Sequence, residues 1–251
     1  MYKIENVSIS LLFGLILYVM LEIILHYLSM NKTAKVKRTL PYYAVISIGY
    51  FIKDCYKGNS KDIVRGMFIE TCNFWNFIVS FVLLIISLVV AFAKPDYLIY
   101  LVGFNFWRFY SRNSEIILAF GFDVLNKKPT KTGDYFDKFD RLRLAVVSYF
   151  EIYLYSASFY MSLPIGNCES NSIGLKSILM SFAIGSLTNV AYAQDILSKH
   201  DCCFDFSSDW LQLLPFFQII ATLSLIVLSL TIYISRESSK FKNKKHPWSL
   251  L

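Results

Sequence analysis

Seventeen consecutive residues, Phe77–Ala93, carry no charge, and they form the uninterrupted core of a longer apolar run, Met67–Ala93. A bilayer-crossing helix needs about 20 mostly apolar residues, so this run predicts one. It does not stand alone. Ser8–Ser29 precedes it, and Tyr97 to about Leu125 follows, interrupted by Arg108, Arg112 and Glu115. Leu144–Leu163 and Trp210–Ser235 bring the spans to five. Between the last two lies Ile173–Leu187, whose 15 residues are too few to cross and predict a re-entrant helix. Hydrophobic residues make up 55 % of the chain and charged ones 17 %, against about 25 % charged in an average soluble domain. This balance excludes a disordered chain and argues against an ordinary soluble enzyme. The expected fold class is all-α: a polytopic membrane protein with five transmembrane helices and a re-entrant helix. Ser8–Ser29 is too long for a cleavable signal, and no small-residue cleavage site follows it.

Charge orients the spans. Residues 30–66 hold eight Lys/Arg, residues 126–143 hold six and residues 236–251 hold five, so 19 of the 25 basic residues occupy three segments. Basic loops stay on the cytoplasmic side. The three segments share one side only if five spans run with the N-terminus outside and the C-terminus in the cytoplasm. The opposite side then carries 164–210, with Glu169, Asp195, Asp201, Asp205 and Asp209 against two lysines. The expected location is the inner (plasma) membrane, multi-pass. The longest cytoplasmic piece, 30–66, is too short for a core of its own. Its apolar, aromatic middle, Thr39–Ile52, would lie along the interface or pack on the spans.

Catalytic constellations are poor, and the chain reads as no enzyme. His26, His200 and His246 fall in a span, outside and in the tail, so they cannot meet as a metal site in one subunit. Cys202 and Cys203 are adjacent instead of spaced for zinc. Together with Cys168 they share the outer segment, where a structural disulfide is open to them. No P-loop, GxSxG, HExxH or GxGxxG occurs, and no cofactor is expected. Glu22 and His26 stand at i and i+4 in the first span, either as a proton-relay pair or as a local hydrogen bond facing the bundle.

The end of the chain is more informative. After the span at 144 come a short outer loop, a short apolar helix, the octet Thr188-Asn189-Val190-Ala191-Tyr192-Ala193-Gln194-Asp195, and a last span. Over about residues 141–236 this order resembles the pore of tetrameric potassium channels: outer helix, pore helix, filter, inner helix. The octet resembles a TTVGYGxD filter in which Asn189 replaces the second Thr and Ala191 and Ala193 replace the glycines. Thr188, Val190, Tyr192 and Asp195 keep the family's spacing. The resemblance implies a homotetramer that conducts inorganic ions. Three regions follow: a three-span region (1–140), a potassium-channel-like pore domain (141–236) and a basic cytoplasmic tail (237–251).

The departures change the expected chemistry. Potassium filters aim backbone carbonyls at the axis, in a conformation that glycine permits and a Cβ disfavours. Ala191 and Ala193 therefore predict a filter that does not select potassium. A wider pore lined by the side chains of Thr188, Asn189 and Tyr192 is expected instead, with anion or non-selective conductance; a plugging, non-conducting relic is the alternative. Leu214, Gln218, Ala221, Leu225 and Ser229 recur at helical spacing and are the expected inner-pore lining. Leu225 and Leu228 are candidates for a hydrophobic gate.

Arg108, Arg112 and Glu115 share one helix face at i, i+4 and i+7. Glu151, near the middle of the fourth span, is expected to pair with Arg108 or Arg112, because a charge in lipid is normally paired. Such a pair ties two spans together, and would gate only if it broke between states. Two arginines four apart do not make the every-third-residue ladder of a voltage sensor.

The cytoplasmic segments sum to +13 per chain, or about +52 around the inner mouth of a tetramer, which concentrates anions. Contact with anionic lipid accounts for part of this. A polyanionic ligand such as a nucleotide or oligonucleotide could use the rest and gate the pore, bound through Lys32, Lys35, Lys37, Arg38, Lys127, Lys128, Lys131, Lys240, Lys242, Lys244 and Lys245. Tyr42, Tyr43, Tyr56, Tyr135, Phe136 and Phe241 interleave with these positions and offer stacking surfaces for bases. By analogy, a bacterial antiviral defence effector that depolarises the membrane is similar in design. The competing reading is a non-conducting adaptor that docks a cytoplasmic partner on the basic inner face.

Overall fold

The computed structural model describes residues 4–29, 47–49, 51, 62–125, 138–163, 170–192 and 209–228, and every element among them is helical. Helix α1 spans Ile4–Ser29, α2 Asp62–Ala93, α3 Leu98–Leu125, α4 Lys138–Ser162, α5 Ser170–Gly185 and α6 Asp209–Leu223. A single π-helical turn, Ser224–Leu228, continues α6. Two helices are long and apolar enough to cross a membrane, over Asn6–Leu28 and Gly66–Ala93. Gly174–Gly185 and Leu213–Val227 are shorter apolar stretches.

Local chemistry sets the tightest turn. Pro95 cannot extend the hydrogen-bond ladder of α2 and instead opens a three-residue 3₁₀ turn, Pro95–Tyr97. Lys94 N–H still bonds the Val90 carbonyl (2.9 Å), and Tyr97 N–H bonds the Lys94 carbonyl (3.0 Å). The Lys94 ammonium covers the Tyr97 ring at 5.1 Å. A turn this short makes α2 and α3 run in opposite directions.

Contacts fix the remaining directions. Ser10 of α1 meets Ile99 and Gly103 of α3, while Glu22, farther along α1, meets Arg108. Thus α1 and α3 run parallel. Asn73 and Ser148 meet the same guanidinium, whereas Ala91 shares a cluster with Met161, so α2 and α4 run parallel to each other. Phe217 packs on Phe109 and Leu225 on Ile116, which aligns α6 with α3. The five longer elements therefore alternate in direction along the chain. Helix α5 is different. It begins beside Leu88 and Phe92 of α2 and ends at Tyr149 and Tyr153 of α4. Its 16 residues span about 24 Å, so it stops near the midpoint of α4.

The bundle combines buried apolar clusters and buried polar groups inside with large apolar side chains outside. Its interior, among the described residues, holds Glu22, His26, Asn73, Asn76, Arg108, Arg112, Glu115, Glu151 and Gln218. Its exterior presents Leu12, Phe13 and Ile16 of α1, Phe81, Ile85 and Val89 of α2, and Phe216 and Ile220 of α6. Burying charge while exposing large apolar side chains is unfavourable in water and favourable in hydrocarbon.

Close backbone approach joins α1 to α3. A Cβ placed on Gly14 would stand 2.2 Å from the Gly103 carbonyl carbon, and one on Gly103 would stand 1.8 Å from the Ser10 carbonyl oxygen. The Ser10 hydroxyl donates to the Ile99 carbonyl (2.7 Å) and accepts from Gly103 N–H (3.1 Å). Trp107 Nε1 donates to the Leu11 carbonyl at 2.9 Å. Small residues at such a crossing let the two backbones pack directly against each other. Replacing Gly103 by Val drives α1 off α3 and is expected to destabilise the fold by about 1–3 kcal/mol or more. Thermal unfolding in detergent reads this, and an unshifted midpoint would show that the crossing carries no stability.

Candidate functional site

Two guanidinium groups organise the centre of the bundle. Arg108 and Arg112 stand one helical turn apart on α3, so both reach the same side. Arg108 is 2 % exposed and Arg112 is 4 % exposed. Arg108 forms an ion pair with Glu22 of α1. Its other terminal nitrogen donates to Asn76 Oδ1 (2.7 Å) and to the Tyr155 oxygen (2.6 Å). The Tyr155 hydroxyl in turn donates to the Asn76 carbonyl (2.9 Å), and its ring lies 5.0 Å from the guanidinium carbon. One arginine thereby joins α1, α2, α3 and α4.

Arg112 repeats the arrangement one turn on. It pairs with Glu115 (2.8 Å) and with Glu151, and donates to Asn73 Oδ1 (3.2 Å) and to Ser148 Oγ (3.4 Å). Of the two expected partners for Glu151, the structure therefore gives Arg112. The Glu22–His26 pair is also placed. His26 Nδ1 lies 2.7 Å from the Glu22 backbone carbonyl and 3.3 Å from its carboxylate, and the ring packs against Phe68. The third partner of this pair is Arg108. Gly49 approaches the site closely: a Cβ there would stand 2.8 Å from Glu22 Oε2. Nearby, the hydroxyls of Tyr18, Ser111 and Ser47 form a chain with separations of 2.6 and 2.9 Å.

The second part of the site is the end of α5. Leu187, at φ 59°, turns the chain out of the helix. Asn189 N–H reaches back to the Ala183 carbonyl at 3.4 Å, and the Ser186 and Thr188 hydroxyls meet at 2.8 Å. Asn189 then caps a new helical turn over 190–192, its side-chain oxygen accepting from Tyr192 N–H (3.1 Å). Thr188, Asn189, Val190, Ala191 and Tyr192 thus follow a turn and a helix start. Residues 186–189 are exposed. Ala193 lies outside the described residues.

The inner-helix expectation needs correction. Gln218 and Ala221 are fully buried and Leu225 is 3 % exposed, packed within the chain's own core. Leu214 packs against the cluster of Phe109, Phe159 and Tyr160. These residues share one helix face, and that face meets α3, α4 and α5 within the chain. The exposed face of α6 is Leu213, Phe216, Ile220, Leu223 and Val227. The side chain of Leu228 and the whole of Ser229 lie outside the described residues. So do Cys168, Cys202 and Cys203 and all the basic residues expected to bind a polyanion.

No protein-family model, curated protein or solved structure matches the chain.

Sequence reasoning missed Asn73, Asn76 and Tyr155. A signal existed: the two Asn stand at i and i+3 within an otherwise apolar run, and Tyr155 follows Glu151 by one turn. Intramembrane amides at that spacing predict a face turned toward a partner. Removing one member of a buried ion pair leaves its partner charge uncompensated. Glu22→Gln is expected to cost about 3–5 kcal/mol, and a double variant with Arg108→Met to cost less than the sum of the single changes. Unfolding midpoints in detergent for the four-member cycle test this, and additive effects would show that the pair is not coupled.

Proposed function

We propose that this chain is one subunit of a pore-loop ion channel, with α1, α2, α3, α4 and α6 crossing the plasma membrane and α5 entering it from outside. In this reading the N-terminus is external, the C-terminus is cytoplasmic and the assembly is a homotetramer. The observation that carries it is the exposed turn 186–189, held beside Tyr149 at the mid-height of α4. Within the hydrocarbon region, non-helical backbone is tolerated only where protein buries it or where it lines a water-filled cavity. Ser186, Thr188 and Asn189 leave polar groups exposed on the single chain, so a second copy or water must meet them. A pore formed around this turn supplies both.

The local geometry also supports a conductance that does not select potassium. A carbonyl ladder lines successive backbone carbonyls along one axis, whereas Asn189 starts a helical turn here. The side chains of Thr188, Asn189 and Tyr192 become the lining groups. Farther in, the exposed face of α6 takes the place of the buried one as the inner lining. Polyanion gating by the basic cytoplasmic segments belongs to the same proposal and rests on charge alone.

Planar-bilayer recording under a KCl gradient tests the function. Current is expected to reverse away from the potassium potential, and to change when an oligonucleotide is added on the cytoplasmic side. Reversal at the potassium potential would overturn the filter argument, and a silent bilayer with a confirmed tetramer would favour the adaptor. Thiol labelling tests the lining. With native cysteines replaced, Ile220→Cys is expected to react with a water-soluble reagent and Gln218→Cys to remain protected. Equal protection of both would return the exposed face of α6 to lipid.

A further inference from the structure

Gln218 lies in an apolar helix, is fully buried and has both ends of its amide engaged. Its Nε2 donates to the Ser181 carbonyl of α5 at 3.0 Å. Its Oε1 accepts from the Tyr160 hydroxyl of α4 at 2.8 Å. From the other side, the Ser181 hydroxyl donates to the Tyr153 carbonyl (2.8 Å) and the Tyr149 hydroxyl to the Gly185 carbonyl (3.4 Å). The Tyr153 hydroxyl donates to that of Tyr149 at 2.5 Å. The last turn of α5 is therefore gripped through its backbone and through Ser181 by both neighbouring helices.

Gly185 makes the grip possible. A Cβ at this position would stand 2.5 Å from the Tyr153 ring and 3.1 Å from Gln218 Nε2. The Tyr153 ring has little freedom to yield. It stacks on Phe182 at 4.7 Å and meets Tyr149 edge-on, also at 4.7 Å. The turn 186–189 begins immediately after this gripped residue. Its place in the bundle is set by bonds to side chains that do not themselves belong to the turn.

We propose that Gln218, with Tyr149 and Tyr153, is a positioning clamp that fixes the depth and direction of the turn 186–192, and so the geometry of the pore lining. The role in conduction rests on the pore-loop reading; the clamp itself does not. Buried polar networks specify one arrangement because leaving any member unpaired is costly. Ser181, Gln218 and Tyr160 form one such network, linking α5, α6 and α4 at a single level. Gln218 thus acts on the lining without touching the ion path.

Hydrogen–deuterium exchange on the full-length protein in nanodiscs, paired with bilayer recording, tests the clamp. Gln218→Leu keeps the volume and removes both bonds. Gln218→Glu keeps the acceptor for Tyr160 and loses the donor to Ser181. Tyr149→Phe removes the contact to Gly185 and the acceptor for the Tyr153 hydroxyl while leaving Gln218 in place, and guards against misfolding of the first two. Each is expected to speed amide exchange in 182–192 by about tenfold, to leave exchange in α1 and α3 unchanged, and to shift the reversal potential. Unchanged protection in 182–192 for all three variants would overturn the clamp. Faster exchange with an unaltered reversal potential would overturn its positioning role. If the wild-type protein carries no current, the pore reading fails, and the clamp is still judged by exchange.

Discussion

Two arginines on one face of a helix must find carboxylates inside the bundle, and the packing of the first four helices follows from that requirement. An isolated guanidinium in a low-dielectric interior is too costly to persist. Arg108 takes Glu22 from α1 and Arg112 takes Glu151 from α4, while Asn73 and Asn76 of α2 complete both sets. Four helices from distant parts of the chain thus converge on residues four positions apart. The ion pairs also need α1 to lie close to α3. Gly14, Gly103 and Ser10 provide that approach without intervening side chains.

The same constraint, polar groups satisfied within an apolar exterior, governs the other end of the chain. Helix α5 brings its C-terminal turn to the middle of the bundle, where its carbonyls and Ser181 find Tyr149, Tyr153 and Gln218. The charged layer of Arg112 and Glu151 sits at a similar level on α3 and α4. The interior therefore holds two polar systems side by side. Pairing in one ties helices together; hydrogen bonding in the other places a turn. Beyond the second system, the turn 186–189 is exposed.

Much of the helical layout was legible in the residues. Runs of apolar sequence located α1 and α2 closely, and the three-residue gap between Ala93 and Tyr97 marked the turn between α2 and α3. The 15 residues of Ile173–Leu187 marked a short helix, close to the observed α5. One-face spacing of Arg108, Arg112 and Glu115 foretold an internal charged surface. Spacing cannot tell which side of a helix faces a neighbour, however. Leu214, Gln218, Ala221 and Leu225 form a stripe by periodicity, as do Leu213, Phe216, Ile220 and Val227. Both stripes are mainly apolar, so composition does not rank them.

The amino-acid sequence by itself determined that this is a helical chain with charged residues on inward faces and apolar runs around them. Hydrophobic length and charge placement are local properties, additive along the chain. Only the tertiary structure decided that Glu22 pairs with Arg108, that Glu151 pairs with Arg112, and that Gln218 holds α5. Each of these depends on which faces meet and at what level, across as many as 86 residues of sequence between Glu22 and Arg108. Helical periodicity fixes a face but not its opposite number. The choice is made when the buried charges and amides of several helices must find partners together.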